Sequence, residues 1–95
     1  MTTLPIGGRG AALIVRLATG VGLRRWAYRH VYLRSRGWAE FASVVRKRQG
    51  GRCASCGRRA RLEVHHRHYA TLGREKRSDV VGLCTVCHLR RHGGV

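Results

Sequence analysis

Two Cys-x-x-Cys pairs, Cys53/Cys56 and Cys84/Cys87, narrow most what this chain can fold into. Residues 57–83 lie between them, enough chain to leave one knuckle, turn back as a hairpin and form a second. Four thiolates brought together fill a tetrahedral ion at about 2.3 Å each, a set closed to water and therefore structural. No secretory pattern stands at the N-terminus. The apolar run from Ala11 to Val21 is interrupted by Arg16 and Gly20 and is too short to span a bilayer. A cytoplasmic setting with reduced thiols is expected, with no membrane partner. The pairs then read as a structural Zn2+ site before disulfides.

The chain needs such a staple. Its 95 residues make one small domain, with a single Phe, two Trp and thirteen Gly to order. At this size an apolar core alone supplies little net stability, and a bound structural ion contributes folding energy directly.

The charge balance points to the partner. Twenty Lys and Arg face four acids, for a net charge of +16 and a pI near 11.7. All but Lys47 and Lys76 of these cations are arginine, whose planar fork of donors matches phosphate. A GC-rich genome would favour arginine over lysine but would not remove the acids. A polyanion is the expected partner, nucleic acid before others.

Along the chain, residues 1–10 are Gly-rich and read as disordered. From Ala11 to about Leu33 the pattern is loosely helical, with Leu13, Leu17 and Val21 at four-residue intervals and Gly20 and Gly22 weakening it. This basic stretch, residues 1–31, is an N-terminal extension, partly disordered or helical. It could bind DNA or an anionic surface, or do nothing. A cleaner helix follows over "GWAEFASVVRKRQGG", with Trp38, Phe41 and Val44/Val45 on one face. Arg46, Lys47 and Arg48 crowd its last turn, where basic side chains suit the helix dipole and can reach phosphates. After the first knuckle, "LEVHH" alternates as a short strand, "RHYATLGREKRS" is a basic loop, and "DVVGLC" is a strand pairing back. "TVCHLRRHGG" closes the chain as a short helix.

The histidines discriminate among functions. His88 and His92 stand i, i+4 on that last helix, so both imidazoles share a face. If the two strands form a hairpin, His65 and His66 at the end of the first lie close to this helix. Three or four imidazoles then converge on one point. A plain nucleic-acid-binding knuckle has no need of them.

The stretch "YLRSRGWAEFASVVRKRQGGRCASCGRRARLEVHHRHYATLGREKRSDVVGLCTVCHLRRH", Tyr32 to His92, resembles the HNH endonucleases of the phage and bacterial branch that carries a four-cysteine zinc. The Trp-bearing helix before the first CxxC, "VHHxxY", "LGRE", the Asp-Val pair before "LC" and CxxC-His-x-x-x-His carry the likeness together. The resemblance implies a small α+β fold: a ββα-metal (His-Me finger) core stapled by a four-cysteine structural zinc, with preceding helices, over residues 32–95. It implies metal-dependent hydrolysis of DNA phosphodiesters, leaving 5′-phosphate and 3′-hydroxyl ends. His66 matches the general base. His65, His88 and His92 match the ligands of a catalytic divalent ion (Mg2+, Mn2+, Ni2+ or Zn2+). Asp79 stands where the family usually has the Asn that holds the hairpin and orients the base. Its carboxylate can accept from an imidazole N–H but cannot donate as an amide does. His68 matches no family ligand and reads as solvent-facing or phosphate-contacting. Arg67, Arg74 and Arg91 are candidates to hold the phosphate.

The chemistry agrees with the residue types. An unperturbed histidine titrates near pH 6.5, so it can take a proton from water at neutral pH. The alternative is a non-catalytic zinc-ribbon module that binds nucleic acid, for which the zinc and the charge suffice. Small free-standing proteins of this kind resemble phage nucleases that act beside the packaging machinery, so packaging proteins are further candidate partners. Either a monomer or a homodimer is compatible with the sequence.

Overall fold

A computed structural model describes residues 3–91. It is a small α+β fold with four α-helices and a two-stranded antiparallel sheet. In chain order these are α1 (Gly8–Leu17), α2 (Val21–Ala27, running on as a π-helical turn Tyr28–Tyr32), α3 (Arg36–Arg48), β1 (Glu63–His66), a 3-10 turn Arg77–Asp79, β2 (Val80–Leu83) and α4 (Thr85–Arg91). No helix of the described residues is long and apolar enough to cross a membrane. The chain divides into two compact units within α3, the first running to Phe41 and adding Ala70–Arg74, the second holding the remainder.

In the first unit, the described part of the segment expected to be disordered, residues 3–10, is tied into the fold. Leu4 bridges Ser35, with Leu4 N–H donating to Arg34 O at 2.7 Å and Arg36 N–H to Leu4 O at 2.8 Å. Ser35 caps α3: its hydroxyl, wholly buried, accepts from Trp38 N–H at 3.2 Å and donates to Tyr32 O at 2.7 Å. The buried residues of α1 and α2 are Ala11, Ala12 and Ala27, whereas Leu13, Leu17 and Val21 are exposed. The four-residue leucine pattern marks a helix but not its buried face, because close backbone approach selects the small residues. Gly73 shows that closeness. Its φ is +87°, and a Cβ there would stand 2.8 Å from Ala12 Cβ and 2.9 Å from Gly8 O. The Gly73 N–H donates to Tyr32 Oη at 3.0 Å, and the Arg16 guanidinium donates to Leu72 O at 2.9 Å.

In the second unit, β1 and β2 pair in the register Glu63↔Leu83, Val64↔Gly82, His65↔Val81 and His66↔Val80. Leu62, Val81 and Leu83 are buried with Cys53, Cys84 and Cys87 in one small cluster. The α3 face within this unit buries Ala42 and Val45 and leaves Val44 exposed. Gln49 substitutes for a third strand. Its side-chain amide accepts from Gly82 N–H at 2.8 Å and donates to Gly82 O at 3.0 Å. A two-stranded ribbon gains stability from such a clamp, since alone it is marginal.

Candidate metal centre and histidine–carboxylate pairs

The four cysteine sulfurs lie within 4.8 Å of one another. Cys56 Sγ and Cys84 Sγ are 3.8 Å apart, which matches the edge, about 3.8 Å, of a tetrahedron of sulfurs bonded at about 2.3 Å. Cys53, Cys84 and Cys87 are buried and Cys56 is exposed. The first knuckle is closed by Gly57 N–H to Cys53 O at 2.9 Å and Cys53 N–H to Arg58 O at 2.9 Å; the second leads directly into α4. Backbone N–H groups, that of Cys84 foremost, lower the Cys53 thiol to about 6 against the opposing push of burial. Cys87 is pushed up to about 12, first by its hydrogen bond with the Cys84 side chain and then by burial. One thiolate, Cys53, thus forms easily while Cys87 resists ionisation, the condition that a divalent cation relieves. The cluster could hold a structural ion such as zinc, as the CxxC spacing indicates. Among the described residues it is the only such group of three or more metal-capable side chains.

The acids are distributed unevenly. Glu40 lies 3.8 Å from Arg36 on the exposed face of α3. Each of the other three holds a histidine in the second unit. Glu63 Oε1 lies 2.6 Å from His88 Nδ1, Glu75 Oε2 lies 2.7 Å from His66 Nε2, and Asp79 Oδ1 lies 3.0 Å from His68 Nε2. Sequence reasoning assigned no role to Glu63 or Glu75 and set His68 aside. The available signal was compositional: the three acids fall between residues 63 and 79, in the same stretch as three of the six histidines.

The pleat of β1 separates neighbouring histidines. Successive side chains of a strand point to opposite faces, and here His65 and His66 have different partners. The ring of His65 meets that of His88 edge-on, centroids 5.2 Å apart and planes at 74°. His66 is buried against Glu75, with its ring stacked on Tyr69 at 5.4 Å. The structure therefore brings His65 and His88 together and turns His66 away from them. His92, the other expected helix ligand, lies outside the described residues.

Asp79 ends the 3-10 turn that leads into β2. Its Oδ2 accepts from Lys76 N–H at 2.8 Å, and its backbone O accepts from Arg67 N–H at 2.8 Å. The imidazole it engages is His68, whereas it is Glu75 that meets His66. Of the basic candidates, Arg46 directs its Nε to Leu62 O at 2.8 Å and ties α3 to the strand entry. Lys47, Arg48, Arg67 and Arg91 are exposed in the second unit, while the exposed Arg74 belongs to the first. No protein-family description, curated protein or solved structure matches the chain.

Proposed function

We propose that this protein is a metal-dependent DNA endonuclease of the HNH type, its ββα-metal (His-Me finger) core formed by β1, β2 and α4. The observation that carries this reading is the meeting of His65 on β1 with His88 on α4, rings 5.2 Å apart. These two, with His92, would hold the catalytic ion. The carboxylate of Glu63 on His88 Nδ1 favours the tautomer whose Nε2 lone pair is a ligand, the usual outer support of a metal-bound imidazole. A bound divalent ion would supply positive charge to the phosphate and the leaving oxygen. Imidazole ligands suit Mn2+, Ni2+ or Zn2+ better than Mg2+ by softness. His66 is the proposed base, with Glu75 orienting it. Arg67 and Arg91, exposed in the same unit, would steady the phosphate, and the net charge of +16 would supply affinity for the backbone.

The burial of His66 favours a second reading, a non-catalytic zinc-ribbon module that binds nucleic acid. In that case the His66–Glu75 pair is a pin inside the fold, and the arginines act alone. Supercoiled plasmid incubated with Mg2+, Mn2+ or Ni2+, against an EDTA control, separates the two. Metal-dependent nicking or linearisation, lost in His65→Ala and His88→Ala variants that still bind DNA and one zinc, supports the nuclease. Binding without cutting under every metal overturns it in favour of the module.

A further inference from the structure

A second cluster of cations lies in the first unit, which contains none of the histidine–carboxylate pairs. Arg9, Arg16 and Arg74, with Leu13 and Leu72, line an open cavity of about 480 Å³. That volume lies within the range of small-molecule sites. No acid lines it, and the carboxylate of the first unit, Glu40, faces Arg36. Arg9, Leu13 and Arg16 fall four and three residues apart on α1, so one face of that helix supplies two guanidinium groups with an apolar residue between them. Arg74 arrives from the segment Ala70–Arg74. That segment is fixed on α1 by the Arg16 bond to Leu72 O, the Gly73 bond to Tyr32 Oη and the tight seat of Gly73 against Ala12. The cluster is thus assembled from two segments locked in place. Three like charges around one cavity repel unless an anion sits among them.

We propose that this cavity is a phosphate-binding site that grips the backbone of a nucleic-acid strand, with the sugar or base against Leu13 and Leu72. It rests on the nucleic-acid reading of the charge but not on cleavage. Guanidinium groups offer paired donors to phosphate oxygens, and the apolar floor suits the non-ionic part of a nucleotide rather than a bare ion.

The test compares two variants of equal charge in the full-length zinc-loaded chain. One is Arg9→Gln/Arg16→Gln/Arg74→Gln. The other, Arg58→Gln/Arg59→Gln/Arg61→Gln, removes three exposed arginines elsewhere. Anisotropy of a labelled duplex is followed across a range of salt. The cavity variant should lose about tenfold more affinity than the control, with a salt slope shallower by about 2 to 3. Equal losses in the two variants overturn the site. Titration with inorganic phosphate and with AMP covers the other source of the same chemistry. Binding of either at micromolar concentration would make the cavity a small-molecule site and overturn the strand assignment. Should the triple variant fail to fold, the exposed Arg74→Gln alone carries the comparison, against Arg59→Gln. Duplex binding without plasmid cutting would defeat the nuclease and leave this site standing; cutting with equal losses in the two variants would do the reverse.

Discussion

Glu75 Oε2 lies 2.7 Å from His66 Nε2, with the two side chains only 5% and 1% exposed. A chain of +16 with four acids has thus buried one acid on a histidine and placed two more on His68 and His88. Such use of scarce carboxylates determines where this protein should be sensitive.

Removing either partner of the buried pair should be costly, because the other is left inside without its hydrogen bond. His66→Ala and Glu75→Ala should each destabilise the zinc-loaded protein by about 3–5 kcal/mol. The double variant should cost less than the sum of the two. Urea unfolding of the four proteins measures this. Additive losses would mean that the two side chains do not act on each other. Any loss of cleavage in His66→Ala must be read against this cost.

The carboxylate on His88 predicts an effect on metal affinity rather than on folding. Glu63 is half exposed and its removal leaves no buried orphan. Under the nuclease reading, Glu63→Gln should weaken a second, non-cysteine metal site by about 10–100-fold. His65→Ala should weaken it further. A cobalt titration separates the sites by colour, since thiolate-bound cobalt absorbs strongly and imidazole-bound cobalt weakly. A single class of site in the parent protein would contradict the assignment.

How far the sequence was legible depended on whether a signal was local. The hairpin, the last helix and the four-cysteine set follow from alternation, spacing and CxxC motifs, each contained within a few residues. The separation of His66 from His65 and His88 was not legible, because adjacent residues of a strand face opposite ways and the partner of His66 lies nine residues on, across a loop. Leu13, Leu17 and Val21 announced a helix while misplacing its core face, which Ala11 and Ala12 form. Gln49 pairing with the backbone of Gly82 left no pattern at all, since a side-chain amide can take many partners.

The cysteine centre should respond to pH in opposite ways at two of its members. Without metal, Cys53 is lowered to about 6, so its contribution is present above its ordinary value of 9.0 and is lost as pH falls through about 6. Cys87 is raised to about 12, so its contribution is present below 9.0 and is lost as pH rises through about 12. The joint contribution of these two thiols to the metal-free fold should therefore peak near pH 9, as chemical unfolding across pH would show. Zinc binding at pH 7 needs four thiolates, of which Cys53 is already largely ionised, so fewer than four protons should be released in a weakly buffered titration. Release of four would mean that Cys53 is not lowered.

Gln49 provides a test of the hairpin that leaves the histidines alone. Gln49→Ala removes two bonds to Gly82 and one, at 3.0 Å, to Arg52 O, and exposes part of the edge of β2. Gly82 is buried while Gln49 is half-exposed, and the expected loss is about 1–3 kcal/mol. Thermal melts should show a drop of roughly 4–8 °C for each kcal/mol lost. An unchanged midpoint would show that the amide clamp contributes nothing net.

Asp79 tests what a carboxylate does at a hairpin position where the resemblance leads one to expect an amide. Its two oxygens serve different partners, Lys76 N–H at 2.8 Å and His68 Nε2 at 3.0 Å. Asp79→Asn keeps an oxygen for Lys76 and offers an N–H to His68, which can accept on Nε2 when that nitrogen is unprotonated. The change in stability should stay within about 1 kcal/mol. Asp79→Ala strands the Lys76 N–H and releases His68, and should cost about 1–3 kcal/mol. The two variants also separate structure from chemistry. If Asp79 acts only as a brace for the loop, plasmid cutting should survive in Asn and fall in Ala in step with stability. If its negative charge on His68 assists the reaction, cutting should fall in Asn as well, with the fold intact.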